Sequence, residues 1–138
     1  MASAGYEDVV IAAPVTVPYV RYSIRAAHWF VARALREMLD VARLPKDTLD
    51  GICVSSFTLA PDSAIGLMQH LDLCPRWLDY IPLGGASGPI ALRRAARAVQ
   101  CGDADVVACV AADTNHVDSF RLTLSNFCLL YTSDAADE

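Results

Sequence analysis

Apolar residues recur at helical spacing in the first third of the chain and predict a long amphipathic helix. Its apolar positions are Ile24, Ala27, Val31, Ala34, Leu35, Met38 and Ala42, with charged residues largely on the other side. Ser23 precedes them, where a hydroxyl can cap the helix, and Pro45 follows its end. Upstream, the short apolar run 9–13 predicts a first strand, followed by a loop that contains Tyr19 and Arg21.

Downstream, strand-like and helix-like segments alternate. The pattern predicts a short turn leading into a buried strand over 49–56, centred on 52–54, further strands over 77–83 and 105–112, and helices over 61–71 and 89–100. The glycines within 84–88 indicate a tight turn, and Gly102 suits the C-terminal cap of the last helix. We expect the apolar strand 105–112 to be buried on both faces. The alternation predicts an α/β fold, in which helices pack on a parallel or mixed sheet.

Composition narrows the class of protein. The 138 residues are 54% hydrophobic and 20% charged, which suits one domain or part of one. No apolar run approaches the roughly 20 residues of a membrane span, and no signal peptide is evident, so we expect a cytoplasmic protein. A net charge of -5 argues against a nucleic-acid partner.

The cysteines form no recognisable framework. They are Cys53, Cys74, Cys101, Cys109 and Cys128, and no two form a CxxC pair. We therefore expect them to be reduced and mostly buried. The sequence predicts neither a metal site nor a tightly bound cofactor.

The strand, glycine-rich turn and helix over 78–100 form the segment that is richest in potential chemistry. A sharp strand-to-helix turn exposes a side chain at the positive end of the helix, where an anion can bind or a thiol pKa can fall. Glycines suit such a turn because backbone and substrate approach closely there.

These residues resemble the thiolase signature. Gly85-Ala86-Ser87-Gly88, the alanine-rich helix that follows and Gly-Asp-Ala-Asp-Val-Val at 102–107 match a family pattern that begins Cys-x-Ser-Gly. The resemblance covers residues 9–115 and is closest to the lipid-transfer-protein type of thiolase. It implies the N-terminal half of a thiolase-like fold, acyltransferase (acetyl-CoA acetyltransferase) activity in lipid metabolism, coenzyme A thioesters as substrates, and a homodimer.

Gly85 stands where a thiolase carries its nucleophilic cysteine, and glycine cannot form an acyl-thioester. The resemblance then leaves three functions open. The chain could act on acyl-CoA without the usual cysteine. It could be a retro-aldol lyase of steroid side-chain thioesters, working with a small OB-fold partner protein. It could also be a non-catalytic scaffold subunit. The family's remaining catalytic groups belong to a C-terminal half, so we expect the fragment alone to be inactive.

We expect Gly85, Ser87, Gly88 and His116 to contact substrate. The matching serine of thiolases is structural, and the nucleophile-elbow pattern of hydrolases would need glycine where Pro89 stands. Ser87 is therefore not predicted to be a nucleophile. His116 follows a strand end, where α/β proteins place functional loops, and a structural or solvent-exposed role is its alternative.

The other basic residues are assigned less specific roles. His28 and His70 fall on predicted helices and are expected to be packing or surface residues. Arg93, Arg94 and Arg97 cluster on the last helix, which predicts one solvated face. Contact with coenzyme A phosphates and contact with a subunit are the alternatives for that cluster.

Residues 128–138 do not continue the pattern and resemble the in-frame translation of a common sequencing adapter. We therefore expect a truncated domain over 1–127 and an artefactual tail, whose three acidic residues would account for the change from -2 to -5 in net charge. A genuine polar extension is the alternative.

Overall fold

The computed structural model describes residues 5–59, 63–114 and 121. In chain order, the helices and strands are α1 (Ala27–Ala42), β1 (Gly51–Ser55), α2 (Ser63–Leu71), β2 (Trp77–Tyr80), α3 (Ser87–Cys101) and β3 (Val107–Ala111). Short 3₁₀ turns occupy Lys46–Thr48 and Gly84–Ala86. The tail 128–138 and His116 lie outside the described residues.

The three described strands form one parallel sheet in the order β2-β1-β3. At its centre Cys53 of β1 is in register with Asp79 of β2 and with Cys109 of β3. Helices connect the successive strands, as parallel pairing requires. The predicted α/β class is confirmed, and both strand pairs are parallel.

The central strand is buried on both faces, and each face meets a different helical layer. Ile52 and Val54 of β1 pack in the larger core cluster, whereas Cys53 belongs to the smaller cluster on the α3 side. The buried members of the larger cluster include Val31, Leu35, Ile52, Val54, Leu67 and Met68. Successive side chains of a strand point to opposite faces. Helices α1 and α2 therefore cover one face of the sheet, and α3 covers the other.

The first helix begins later than its apolar pattern predicts. Ser23 does not cap it: the Ser23 hydroxyl accepts a hydrogen bond from the Arg25 amide at 3.0 Å in the preceding turn. Ala26 is extended and provides no side-chain cap, and Ile24 is 80% exposed. The helix ends as expected before Pro45, with Arg43 in the left-handed conformation at φ 55°.

The strand predicted over 9–13 is wrong. These residues are irregular, pair with none of the described strands, and leave Val10 and Ile11 85% and 77% exposed. Ala13 has a positive φ of 50°, which interrupts an extended strand. Pro14 and Pro18 then remove two of the backbone donors that pairing would use.

The outer strands also differ from prediction. β2 stops at Tyr80, although the Ile81 amide still donates to Val54 O at 2.9 Å. The next amide that could face β1 is that of Leu83, and it donates to Ser87 Oγ instead. β3 alternates between buried and partly exposed residues and is not buried on both faces, as expected for the edge strand of the described sheet.

The sequence predicted no membrane span. In the part of the chain that the structure describes, every helix is too short or too polar to cross a bilayer.

Candidate functional site

Three segments meet at the carboxyl ends of the strands. They are the loop 56–59 after β1, the turn 81–88 after β2, and residues 112–114 after β3. In parallel α/β sheets, ligands bind outside this edge because the loops that follow the strands converge there. We call this surface the carboxyl edge, and it contains all of the predicted substrate-contacting residues that the structure describes.

Ser87 fixes the turn between β2 and α3. Its hydroxyl donates to Ile81 O and accepts from the Leu83 amide, both at 2.9 Å, and the residue is only 3% exposed. Both interactions join parts of the same turn. The hydroxyl therefore holds the backbone in shape, and substrate could reach it only if these hydrogen bonds opened.

Gly85 and Gly88 lie on the exposed outer side of the same turn. An ideal Cβ added to either glycine would meet no atom within 4 Å. Neither has the positive φ that would demand glycine, whereas Gly84 has φ 60°. The space outside Gly85 is therefore open and would accept either a side chain or a bound ligand.

The start of α3 provides the positive electrostatic potential of a helix N-terminus, but the amides of Ala86 and Ser87 are not free hydrogen-bond donors. In the preceding 3₁₀ turn the Ala86 amide donates to Leu83 O at 3.3 Å, and the Ser87 amide donates to Gly84 O. The sequence pattern led us to expect amides that point to solvent, but both of these amides are bonded within the turn. The dipole of the 15-residue helix still places positive potential beside Gly85.

Asp113 joins the ends of β1 and β3. Its Oδ1 accepts hydrogen bonds from Ser56 Oγ at 2.9 Å, from the amides of Phe57 and Thr58 at 2.7 and 3.0 Å, and from Thr58 Oγ1 at 3.0 Å. The Thr114 amide donates in turn to Thr58 Oγ1 at 3.0 Å. One carboxylate thus fixes the loop after β1.

Sequence reasoning missed this role of Asp113. Two features of the sequence could have indicated it. An acidic residue, Asp113, follows the apolar strand β3 closely, and Ser-Phe-Thr at 56–58 follows β1. Short hydroxyl and carboxylate side chains at strand ends commonly bind backbone amides in turns.

Phe57 connects this loop to the glycine turn. Its Cζ would lie 3.7 Å from a Cβ built on Gly84, and the residue is 39% exposed. The Tyr80 hydroxyl also donates to Ser56 O, which links β2 to the same loop. The loop after β1 is therefore joined to the turn after β2, with an aromatic ring beside Gly84, the residue that precedes Gly85.

The arginine cluster lies elsewhere, along the side of α3. Arg94 forms an ion pair with Asp79 at 3.0 Å, and the Arg97 guanidinium stacks 4.8 Å from the centroid of the Tyr6 ring. These contacts belong to an open cleft of about 600 Å³, lined by Trp77, Asp79, Ile90, Arg93, Arg94, Arg97, Ala98, Cys101 and Asp103. The cluster is thus not simply a solvated face, since two of its members contact other parts of the chain.

The prediction that the cysteines are mostly buried is wrong for the described ones. Only Cys53 is buried, while Cys74 and Cys101 are exposed and Cys109 is intermediate, and all four are free thiols. A hydrogen bond with Cys109 and burial raise the pKa of Cys53, and the same hydrogen bond lowers the pKa of Cys109. Both thiols lie within the strands, Cys53 in β1 and Cys109 in β3, and not in the loops of the carboxyl edge.

Among the described residues, no group of three or more histidine, cysteine, aspartate or glutamate side chains could hold a metal ion. Comparison with protein-family models, with curated proteins and with solved structures finds nothing that matches this chain.

Proposed function

We propose that the chain is part of a thiolase-like protein that binds acyl-CoA thioesters at the carboxyl edge without the usual cysteine nucleophile. The observation that carries the proposal is the position of Gly85. It lies between a parallel strand and the positive end of a long helix, at the edge of the sheet where α/β proteins bind ligands. The motif Gly-Ala-Ser-Gly at this turn supports the same class.

The surroundings suit a thioester. The open space at Gly85 would admit the thioester carbonyl, and the helix dipole favours the negative charge that develops on its oxygen. Phe57 offers an exposed aromatic surface for an apolar acyl group. Ser87 would keep its structural role, because its hydroxyl is already engaged at both ends of the turn.

A Gly85→Cys variant tests the site directly. The open space around Gly85 can hold the new side chain, and the helix dipole should lower the pKa of its thiol. The thiolate would attack the carbonyl of acetyl-CoA, form a new thioester and release coenzyme A as the leaving thiol. We expect intact-mass measurement to show one added acetyl group, with acylation about tenfold faster than in the unchanged protein.

The unchanged protein is the matched control, because its exposed Cys74 and Cys101 report background acylation by acetyl-CoA. Equal acylation of the variant and the unchanged protein, with the variant still folded by circular dichroism, would count against the proposed site.

The open space at Gly85 also suits a reaction without a covalent intermediate, such as retro-aldol cleavage. The complete protein should therefore be incubated with acetoacetyl-CoA plus coenzyme A and, separately, with a β-hydroxyacyl-CoA. Release of an aldehyde or ketone from the hydroxyacyl thioester would favour a lyase. Thiolysis at ordinary thiolase rates would contradict our interpretation of Gly85. Inactivity in both assays with stable binding of another protein would favour a scaffold.

A further inference from the structure

Two histidines that are far apart in sequence meet where α1 packs against α2. His28 is the second residue of α1, and His70 lies in the last turn of α2. Their ring centroids are 5.8 Å apart, and their planes are inclined by 64°. His70 is exposed and His28 is intermediate in exposure, so solvent reaches the pair.

Neither ring has a polar partner in the described part of the chain. The structure gives both imidazoles no hydrogen bond and no ion pair with the described residues, only the contact between the two rings. A neutral imidazole has one N–H donor and one acceptor nitrogen. Here the ring nitrogens of both side chains are free to bind a ligand from solvent.

The spacing of the rings fits a shared metal ion. With metal–nitrogen distances of about 2.0–2.1 Å, two imidazoles on one ion have ring centroids roughly 4.5–6.5 Å apart, depending on the angle at the metal. The observed 5.8 Å lies inside that range. Rotation about the side-chain bonds of these accessible residues can direct one nitrogen of each ring to a common point.

We propose that His28 and His70 form a two-histidine site for a divalent transition-metal cation such as Ni²⁺, Cu²⁺ or Zn²⁺, which imidazole ligands suit. Water would occupy the other coordination positions, because no third histidine, cysteine or carboxylate of the described residues joins the pair. The bound ion would link α1 to α2 and stabilise the folded state, since the site is assembled only on folding.

The test is titration of the whole protein with NiCl₂ at about pH 7.5, where imidazole is mostly neutral, followed by thermal unfolding. We expect the melting temperature to rise and to saturate with one ion bound. His28→Gln and His70→Gln should each weaken binding by about tenfold or more, and the double variant should be no worse than either single one. Gln69→Ala, at an exposed neighbour of His70 that carries no imidazole, is the matched control and should keep the affinity of the unchanged protein.

Several results would overturn the site. An unchanged nickel affinity in either single variant would show that the two rings do not share an ion. A nickel–thiolate absorption band would assign the binding to the exposed Cys74 or Cys101 instead. Absence of any nickel-dependent shift in the unchanged protein would equally exclude it. None of these results bears on the proposed acyl-CoA site, which shares no residue with this pair.

Discussion

The Ser87 hydroxyl holds the turn between β2 and α3 by donating one hydrogen bond and accepting another. Its partners, Ile81 O and the Leu83 amide, both belong to the segment that leads into the helix. Because Ser87 is buried, removal of the hydroxyl would leave both backbone groups without a partner. The side chain therefore decides the shape of the surface on which Gly85 is displayed.

Ser87→Ala should destabilise the fold by about 1–3 kcal/mol, the usual cost of leaving buried polar groups unpaired. The free energy of unfolding in urea measures this loss. Ser23→Ala is the matched control, because the exposed Ser23 hydroxyl accepts only one hydrogen bond, from the Arg25 amide, and its loss should change stability by less than about 0.5 kcal/mol. Equal losses in the two variants would contradict the structural role assigned to Ser87.

At the scale of the element, Gly51 of β1 is paired with Val107 of β3 at a position that has no room for a side chain. A Cβ on Gly51 would lie 2.6 Å from Val107 Cγ2 and 2.9 Å from Ala104 Cβ. Both distances are shorter than a side chain can tolerate, and Gly51 is buried at the start of the central strand. The absence of a side chain at this position is what allows the two strands to pair there.

Gly51→Ala should therefore cost about 1–3 kcal/mol, the usual penalty for overpacking a core. Chemical denaturation provides the measurement. Gly88→Ala is the control: its added methyl group meets no atom within 4 Å and lies in α3, so stability should stay the same or rise by up to about 1 kcal/mol. If Gly51→Ala were as stable as Gly88→Ala, the close approach of the strands would not constrain the sheet.

Elements that a periodic pattern or a backbone requirement specifies were predictable from sequence. The apolar stripe predicted the existence and the end of α1, although the helix begins at Ala27 and not at Ile24, and Gly102 ends α3 with φ 78°, as its sequence position predicted. The run 9–13 has the composition of a strand but does not form one. Composition does not supply a pairing partner, and Ala13 departs from extended geometry. Secondary structure that depends on long-range pairing cannot be derived from a short apolar run alone.

At the scale of the molecule, folding brings together side chains that no local pattern connects. The turn at Gly85 was recognisable from sequence because its residues are contiguous. The hydrogen bonds that Asp113 accepts from the loop after β1 depend on strand order instead, and the contact of His28 with His70 depends on helix packing. Both were missed for that reason, since spacing along the chain carries no information about either contact.

At the amino ends of the strands, one aspartate again accepts hydrogen bonds from neighbouring segments. Asp50, just before β1, accepts hydrogen bonds from the amides of Asp105 and Val106 before β3, at 2.8–3.0 Å. Its Oδ2 also accepts from Arg76 Nη2, before β2, at 2.5 Å. Partial burial would raise the Asp50 pKa, but the hydrogen bonds from Arg76 and the two amides lower it from 3.8 to about 2. One carboxylate thus ties all three strands together.

The pH dependence of stability should reveal the contribution of the Asp50 carboxylate. Because the Asp50 pKa is lower in the folded state, its stabilisation is complete above about pH 4 and is lost as the pH falls towards about 2. Asp50→Asn should lower the urea midpoint at pH 7, by about 1–3 kcal/mol in unfolding free energy. It should also reduce the further loss between pH 4 and pH 2.

Asp72→Asn is the matched control for Asp50→Asn. The Asp72 carboxylate is fully exposed and meets only Lys46, at 3.5 Å, so the variant should change stability by less than about 0.5 kcal/mol at pH 7. It should also keep the decline of the unchanged protein between pH 4 and pH 2. If Asp50→Asn retained that same decline, the acid sensitivity would arise elsewhere. A flattened decline in Asp50→Asn alone would show that one carboxylate couples the pairing of all three strands to pH.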